Sequence, residues 1–365
     1  MAIPCGTANE SAYSANARCY GQSAVRFFFM ENFIMRTSNS TYSQRQYNIS
    51  MLETVVWCMQ LYLVPCIVVV GVSAGVTCFV VFLRTRLRKK FFTHFLVCVC
   101  FGSCGFLSVV FLTWMSGQGL NVYSAPGLCQ MYAFCNHFFP FLTVWTSVLG
   151  AYLILWDSIK PRSLTWMDSA GKAKLIVISM ALFGFTIYSY KTWTHYGAHH
   201  INHDQLICKV IPENEAMMGI MNILDIVFLT VVPSVLFLVF DIILVGTKLY
   251  GRGKVRLQNC SPRHREVLKM VVAHSVCFHL LVTPRGISML EFIINQRAYD
   301  RRPTVEEILS INLFQFFFYA YFAVLAVFPI IISEKFRYYL FSLFGFRLRR
   351  TPSYSVRTRQ LPLFL

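Results

Sequence analysis

The chain has 365 residues, of which 56% are Ala, Val, Ile, Leu, Met, Phe, Trp, Tyr or Cys and only 13% are charged, with a mean hydropathy of +0.53. Soluble domains carry about 25% charged residues, so the composition excludes a disordered chain and argues against a soluble enzyme. The net charge of +17 comes from Lys and Arg clustered between apolar stretches, a membrane-topology pattern rather than a nucleic-acid footprint.

Residues 1–53 are polar apart from the run Phe27–Met30, which is too short for the core of a signal peptide. The first apolar stretch then serves as its own insertion signal. Seven stretches follow, over 54–83, 91–115, 129–156, 174–192, 218–247, 267–294 and 306–333, each near or above the roughly 20 residues a spanning helix needs. The fourth is the shortest and ends in a run containing Tyr and Lys. Pro65, Pro140, Pro233, Pro284 and Pro329 fall inside these stretches, where neighbouring helices can re-satisfy the freed carbonyls.

The segments after spans one, three, five and seven hold most of the 33 Lys and Arg residues. Positive residues stay inside, which predicts an N-terminus outside and a C-terminus in the cytosol. Glycosylation sequons at Asn9, Asn39 and Asn48 all fall on the predicted outer side, in agreement with that orientation. Asn259, on the predicted inner side, is expected to stay unmodified. The expected fold is an all-α membrane protein: a seven-transmembrane helix bundle (54–333), a short amphipathic eighth helix (334–346) and a basic cytosolic tail (347–365).

Several residues sit where a pocket between helices would open to the outside. Asn136 and His137 lie two turns into span three. Asp225 lies on the outer half of span five, where it can face a cationic group or simply pair within the bundle. Arg285 directly follows the span-six proline. An unpaired Arg in a membrane is costly, so it calls for an acidic partner such as Glu291 or Asp225, a water-filled cavity or an anionic ligand. Gln315 and Tyr319 are one turn apart on span seven, available to the same pocket or to core packing. His195, His199, His200 and His203 crowd the loop after span four, but their spacing matches no closed zinc motif, and no metal or other cofactor is expected. The chain has no nucleophile elbow, phosphate loop or dinucleotide fingerprint, and no enzymatic activity is expected. Thr304-Val-Glu-Glu307 reads as a helix-capping box.

Certain spacings resemble those of rhodopsin-like G-protein-coupled receptors. Cys129 opens span three and Cys208 lies in the second outer loop. Pro161 follows Cys129 by 32 residues, Pro233 sits in mid-span five, and Phe278-His-Leu-Leu-Val-Thr-Pro284 keeps the family's Phe-to-Pro interval. Glu334-Lys-Phe-Arg-Tyr-Tyr-Leu-Phe-Ser-Leu-Phe-Gly345 looks like the family's eighth helix, with Phe336, Tyr339, Leu340, Leu343 and Phe344 along one apolar stripe. Thr283-Pro-Arg-Gly-Ile-Ser-Met-Leu-Glu291 and the Pro233–Leu249 stretch are similar to invertebrate FMRFamide-type peptide receptors. The resemblance covers about residues 54–346. It implies a Cys129–Cys208 disulfide, a plasma-membrane location, an extracellular ligand (a peptide by preference) and a heterotrimeric G protein as cytosolic partner.

The departures from that family are concentrated in its polar network. Gly75-Val76 stands where the family has Gly-Asn, and Cys100 where it has Asp. Leu153-Ile-Leu155 replaces Asp-Arg-Tyr, Leu281-Val282 replaces Cys-Trp, and Leu325-Ala-Val-Phe-Pro329 replaces Asn-Pro-x-x-Tyr. The alternative reading is therefore a seven-helix scavenger, chaperone or co-receptor that does not signal. A channel or transporter is disfavoured by the odd span count and the few intramembrane charges.

Overall fold

Long apolar runs with few internal charges have one way to satisfy their backbone in hydrocarbon, which is to close every hydrogen bond within a helix. The computed structural model describes residues 51–85, 91–118, 120, 122–159, 170–200, 203–249, 262–298 and 304–343. Seven of its helices are long and apolar enough to cross a membrane. They are α1 (Met51–Arg84), α2 (Phe91–Gly117), α3 (Leu128–Ile159), α4 (Gly171–Thr194), α5 (spanning Ala216–Gly246), α6 (spanning Leu268–Asn295) and α7 (Val305–Ile332). A short α8 (Glu334–Leu343) follows. The expected seven-helix bundle with an eighth helix is thus the observed fold. The sequons Asn9, Asn39 and Asn48, Asn259, Pro161, Phe344, Gly345 and the basic tail lie outside the described residues.

The prolines are handled in two ways. In α1 and α5 a five-residue π-helical stretch, Met59–Leu63 and Val227–Val231, ends two residues before Pro65 and Pro233. A wider turn there makes room for the pyrrolidine ring, which would otherwise press on the carbonyl four residues back. Pro140 and Pro329 instead sit inside unbroken helices. One residue on from the carbonyl that Pro329 leaves free, the Cys78 thiol of α1 donates to the Ala326 carbonyl at 3.1 Å, tying α1 to α7 near the proline. In α6 the helix is interrupted between Leu281 and Thr283, just ahead of Pro284.

Two glycines set close helix crossings. A Cβ on Gly71 of α1 would collide with Leu107 of α2 and with the Ala323 backbone of α7. A Cβ on Gly286 of α6 would collide with Thr230 of α5. Small residues at such crossings let membrane helices approach backbone to backbone.

The main core runs between α1, α2, α3, α5, α6 and α7, with Phe106, Leu107, Val144, Phe237, Phe278, Tyr321 and Phe322 among its buried members. The outward faces are equally apolar. Leu175, Ile178, Leu182, Phe183 and Phe185 of α4 and Val235, Leu238, Val239 and Ile242 of α5 are all exposed. A helix that is apolar all round is built for lipid or a protein core, not water.

The segment between α4 and α5 folds into an antiparallel hairpin, β1 (His195–His200) and β2 (His203–Val210). Its strands had no counterpart in the sequence reading, since six to eight residues, four of the fourteen being His, carry no clear alternation. The Cys129–Cys208 disulfide ties β2 to the first turn of α3, with Cα atoms 5.3 Å apart. At the opposite end, Phe336 of α8 is buried against Phe82, ring centroids 5.2 Å apart. Tyr339 and Leu340 pack on the same cluster, while Leu343 is exposed. Arg337 donates to the Ile331 carbonyl at the C-terminus of α7, where a cation also favours the helix dipole.

Candidate functional site

Two polar constellations lie toward the hairpin end of the bundle. The first joins α3, α4 and α5 beneath the hairpin. Asp225 of α5 places its Oδ2 3.2 Å from the Lys191 ammonium and 3.4 Å from His137 Nε2. The Tyr188 hydroxyl lies near the same carboxylate. Lys191 is fully buried, and its contact with Oδ2 is an ion pair without hydrogen-bond alignment. His137 Nδ1 donates to the Ala133 carbonyl at 3.0 Å, which turns Nε2 toward Asp225. His195, at the start of β1, adds a ring whose Nδ1 lies 3.2 Å from the Lys191 carbonyl and 3.0 Å from Thr194 Oγ1. Burial first, and the Lys191 charge second, push the His195 imidazole down to about 4, with the Lys191 carbonyl hydrogen bond partly opposing. It is therefore neutral at physiological pH.

Asp225 is thus spent inside the bundle. Its charge is balanced by Lys191, so it is not a free counter-ion for a cationic ligand. The sequence reading missed Lys191 and Tyr188, and weighed His195 only as one of the loop histidines. A signal for the first existed: a lysine at the end of an apolar stretch needs an acidic partner, and Asp225 is the acid in span five's outer half.

The second constellation joins α6 and α7. Arg285 Nε donates to Gln315 Oε1 at 2.5 Å, and its Cζ lies 4.3 Å from the centroid of the Phe318 ring. Phe318 is buried and held by Phe106 and Phe322 at 5.4 and 5.1 Å. The guanidinium is placed by its helix: Gly286 presses against Thr230 of α5, so the next residue back, about 100° around the helix, faces α7 instead. Neither acidic residue suggested by the sequence pairs with it. Glu291 is exposed and Asp225 is held by Lys191 and His137. Asn136 is half-buried and makes no hydrogen bond among the described residues.

The half of the bundle nearer α8 is built differently. Leu153, Ile154 and Leu155 are all buried. Two polar contacts bridge helices there: Tyr321 to His274 at 2.7 Å, and Ser275 donating to Asp241 at 2.6 Å. A cavity of about 50 Å³ lies between α2, α3, α6 and α7, lined by Val99, Thr146, Ser147, His274, Leu325 and Phe328. Among the described residues no group of three His, Cys, Asp or Glu is placed to hold a metal ion.

Seven spanning-length helices, apolar inside and out, define a multi-pass membrane protein. No protein-family model matches the chain, and no curated protein matches it.

Proposed function

We propose that this protein is a plasma-membrane receptor of the rhodopsin-like G-protein-coupled class, taking an extracellular ligand at the hairpin end and acting on a heterotrimeric G protein at the α8 end. The observation that carries the reading is the disulfide from the first turn of α3 to the hairpin, at the end of the bundle where polar groups meet across α3, α4 and α5 and across α6 and α7. A pocket between helices with a few placed polar groups in an apolar wall suits ligand binding. The cytosolic placement of the C-terminus follows from the Lys and Arg distribution. A peptide is the preferred ligand class on the strength of the resemblance in spans five and six.

The reading is tested by G-protein dissociation in cells expressing the chain, across the main Gα subtypes, with surface display verified by an antibody to an N-terminal tag. Subtype-selective dissociation above that of untransfected cells is expected, because basal activity does not require the ligand. A second reading, a binder that does not signal, is favoured by the buried Leu153, Ile154 and Leu155, where the family carries its G-protein-facing polar triplet. Ligand uptake without dissociation of any subtype supports that second reading.

A further inference from the structure

Resting on the receptor reading, we propose that Arg285 is the anchor for a carboxylate carried by the extracellular ligand. A guanidinium offers five N–H donors in a planar fork. Here one is used, on the neutral Gln315 amide, and the face is used by Phe318. The two terminal nitrogens meet no acceptor among the described residues and are not sealed from access. No carboxylate among the described residues lies within ion-pair reach.

A charge left in this state inside a spanning helix is costly, and such residues are kept for function. The geometry also specifies which group fits. Gln315 and Phe318 hold the fork from one edge and one face, so the open edge presents two parallel donors. That is the arrangement a planar carboxylate accepts in bidentate fashion. The charge count favours a single negative charge: the other buried cation of this end, Lys191, is already neutralised by Asp225. A phosphate, carrying close to two charges, would be left under-compensated. The neighbouring wall is aromatic, with Phe106 in ring contact with both Phe318 and Tyr319. An aromatic or apolar group next to the carboxylate is therefore accommodated. A free peptide C-terminus and an acidic side chain both supply this chemistry.

The test uses the full chain purified in nanodiscs and two probe pairs. N-acetylphenylalanine presents a C-terminal carboxylate, and N-acetylglutamic acid α-amide a side-chain one. Each is compared with its fully amidated counterpart at millimolar concentration, with the thermal midpoint as readout. At least one carboxylate raises the midpoint, and its amide does not. Arg285→Gln abolishes the shift, and Arg285→Lys weakens apparent affinity roughly tenfold by keeping charge but losing the fork. Unliganded Arg285→Gln melts no lower than wild type, because it removes an uncompensated charge. The proposal is overturned if neither carboxylate shifts the midpoint beyond its amide, if the shift persists in Arg285→Gln, or if that variant melts well below wild type, as a structural arginine would require. Carboxylate binding without any G-protein response leaves this inference standing and removes the receptor reading. A G-protein response to neutral ligands alone does the reverse.

Discussion

Replacing Asp225 by Asn removes the one negative charge that faces Lys191 while changing the side-chain volume little. At 3.2 Å the Coulomb attraction is about 5 kcal/mol at an effective dielectric constant of about 20. Desolvation of both ions already opposes that gain in the folded protein, and the variant keeps the Lys191 penalty with nothing to offset it. Breaking one partner of a buried pair costs about 3–5 kcal/mol, and Lys191 has no exposed surface through which to reach water. The thermal midpoint of purified Asp225→Asn is expected to fall accordingly. Lys191→Met alone strands the carboxylate and its His137 contact, and is also destabilising. The double variant Asp225→Asn/Lys191→Met is expected to recover most of the loss, since an apolar replacement of a buried pair is often near neutral. A cycle of the four proteins, followed by thermal unfolding in one detergent, measures the coupling. A loss under about 1 kcal/mol in Asp225→Asn, or a double variant equal to the sum of the singles, refutes the reasoning.

The His195 imidazole, held near 4 when folded against an ordinary value of 6.5, binds its proton more readily in the unfolded chain. Stability attributable to it is therefore complete above about pH 6.5 and falls as pH drops toward 4, by about 2 kcal/mol between pH 7 and pH 5; His195→Gln is expected to flatten that part of the wild-type midpoint-against-pH curve, and an unchanged slope refutes the assignment. Tyr321→Phe leaves the His274 ring without its 2.7 Å partner and is expected to cost about 1–3 kcal/mol, read as a lower thermal midpoint. Gly286→Ala forces α5 and α6 apart at Thr230, with an expected loss of about 1–3 kcal/mol; a midpoint equal to wild type would show that the crossing is looser than described.

The bundle was legible because its signal is an accumulation: about twenty apolar residues per span leave few alternatives. The capping box was legible for a local reason. Thr304 Oγ1 accepts from the Glu307 amide, and Glu307 Oε2 accepts from the Thr304 amide, within four consecutive residues. The span limits shifted where composition fades. The fourth span continues past a turn at Ser189 and Tyr190 into a short helical segment, Lys191–Thr194, where Lys191 finds Asp225 and so counts as interior. That pairing joins residues 34 apart in sequence on different helices, and no local pattern encodes it. Arg285 and Gln315 were each singled out, yet their contact follows from how Gly286 turns α6 against α5. The hairpin was hidden for a different reason: its two short strands carry no clear apolar alternation.

The most direct measurement of the central claim is guanine-nucleotide exchange on purified Gα subtypes with βγ, mixed with the chain in nanodiscs in the absence and presence of the carboxylate probes. The account predicts that at least one subtype exchanges faster than with empty nanodiscs. Exchange equal to empty nanodiscs for every subtype, with the chain folded and binding a carboxylate through Arg285, contradicts it.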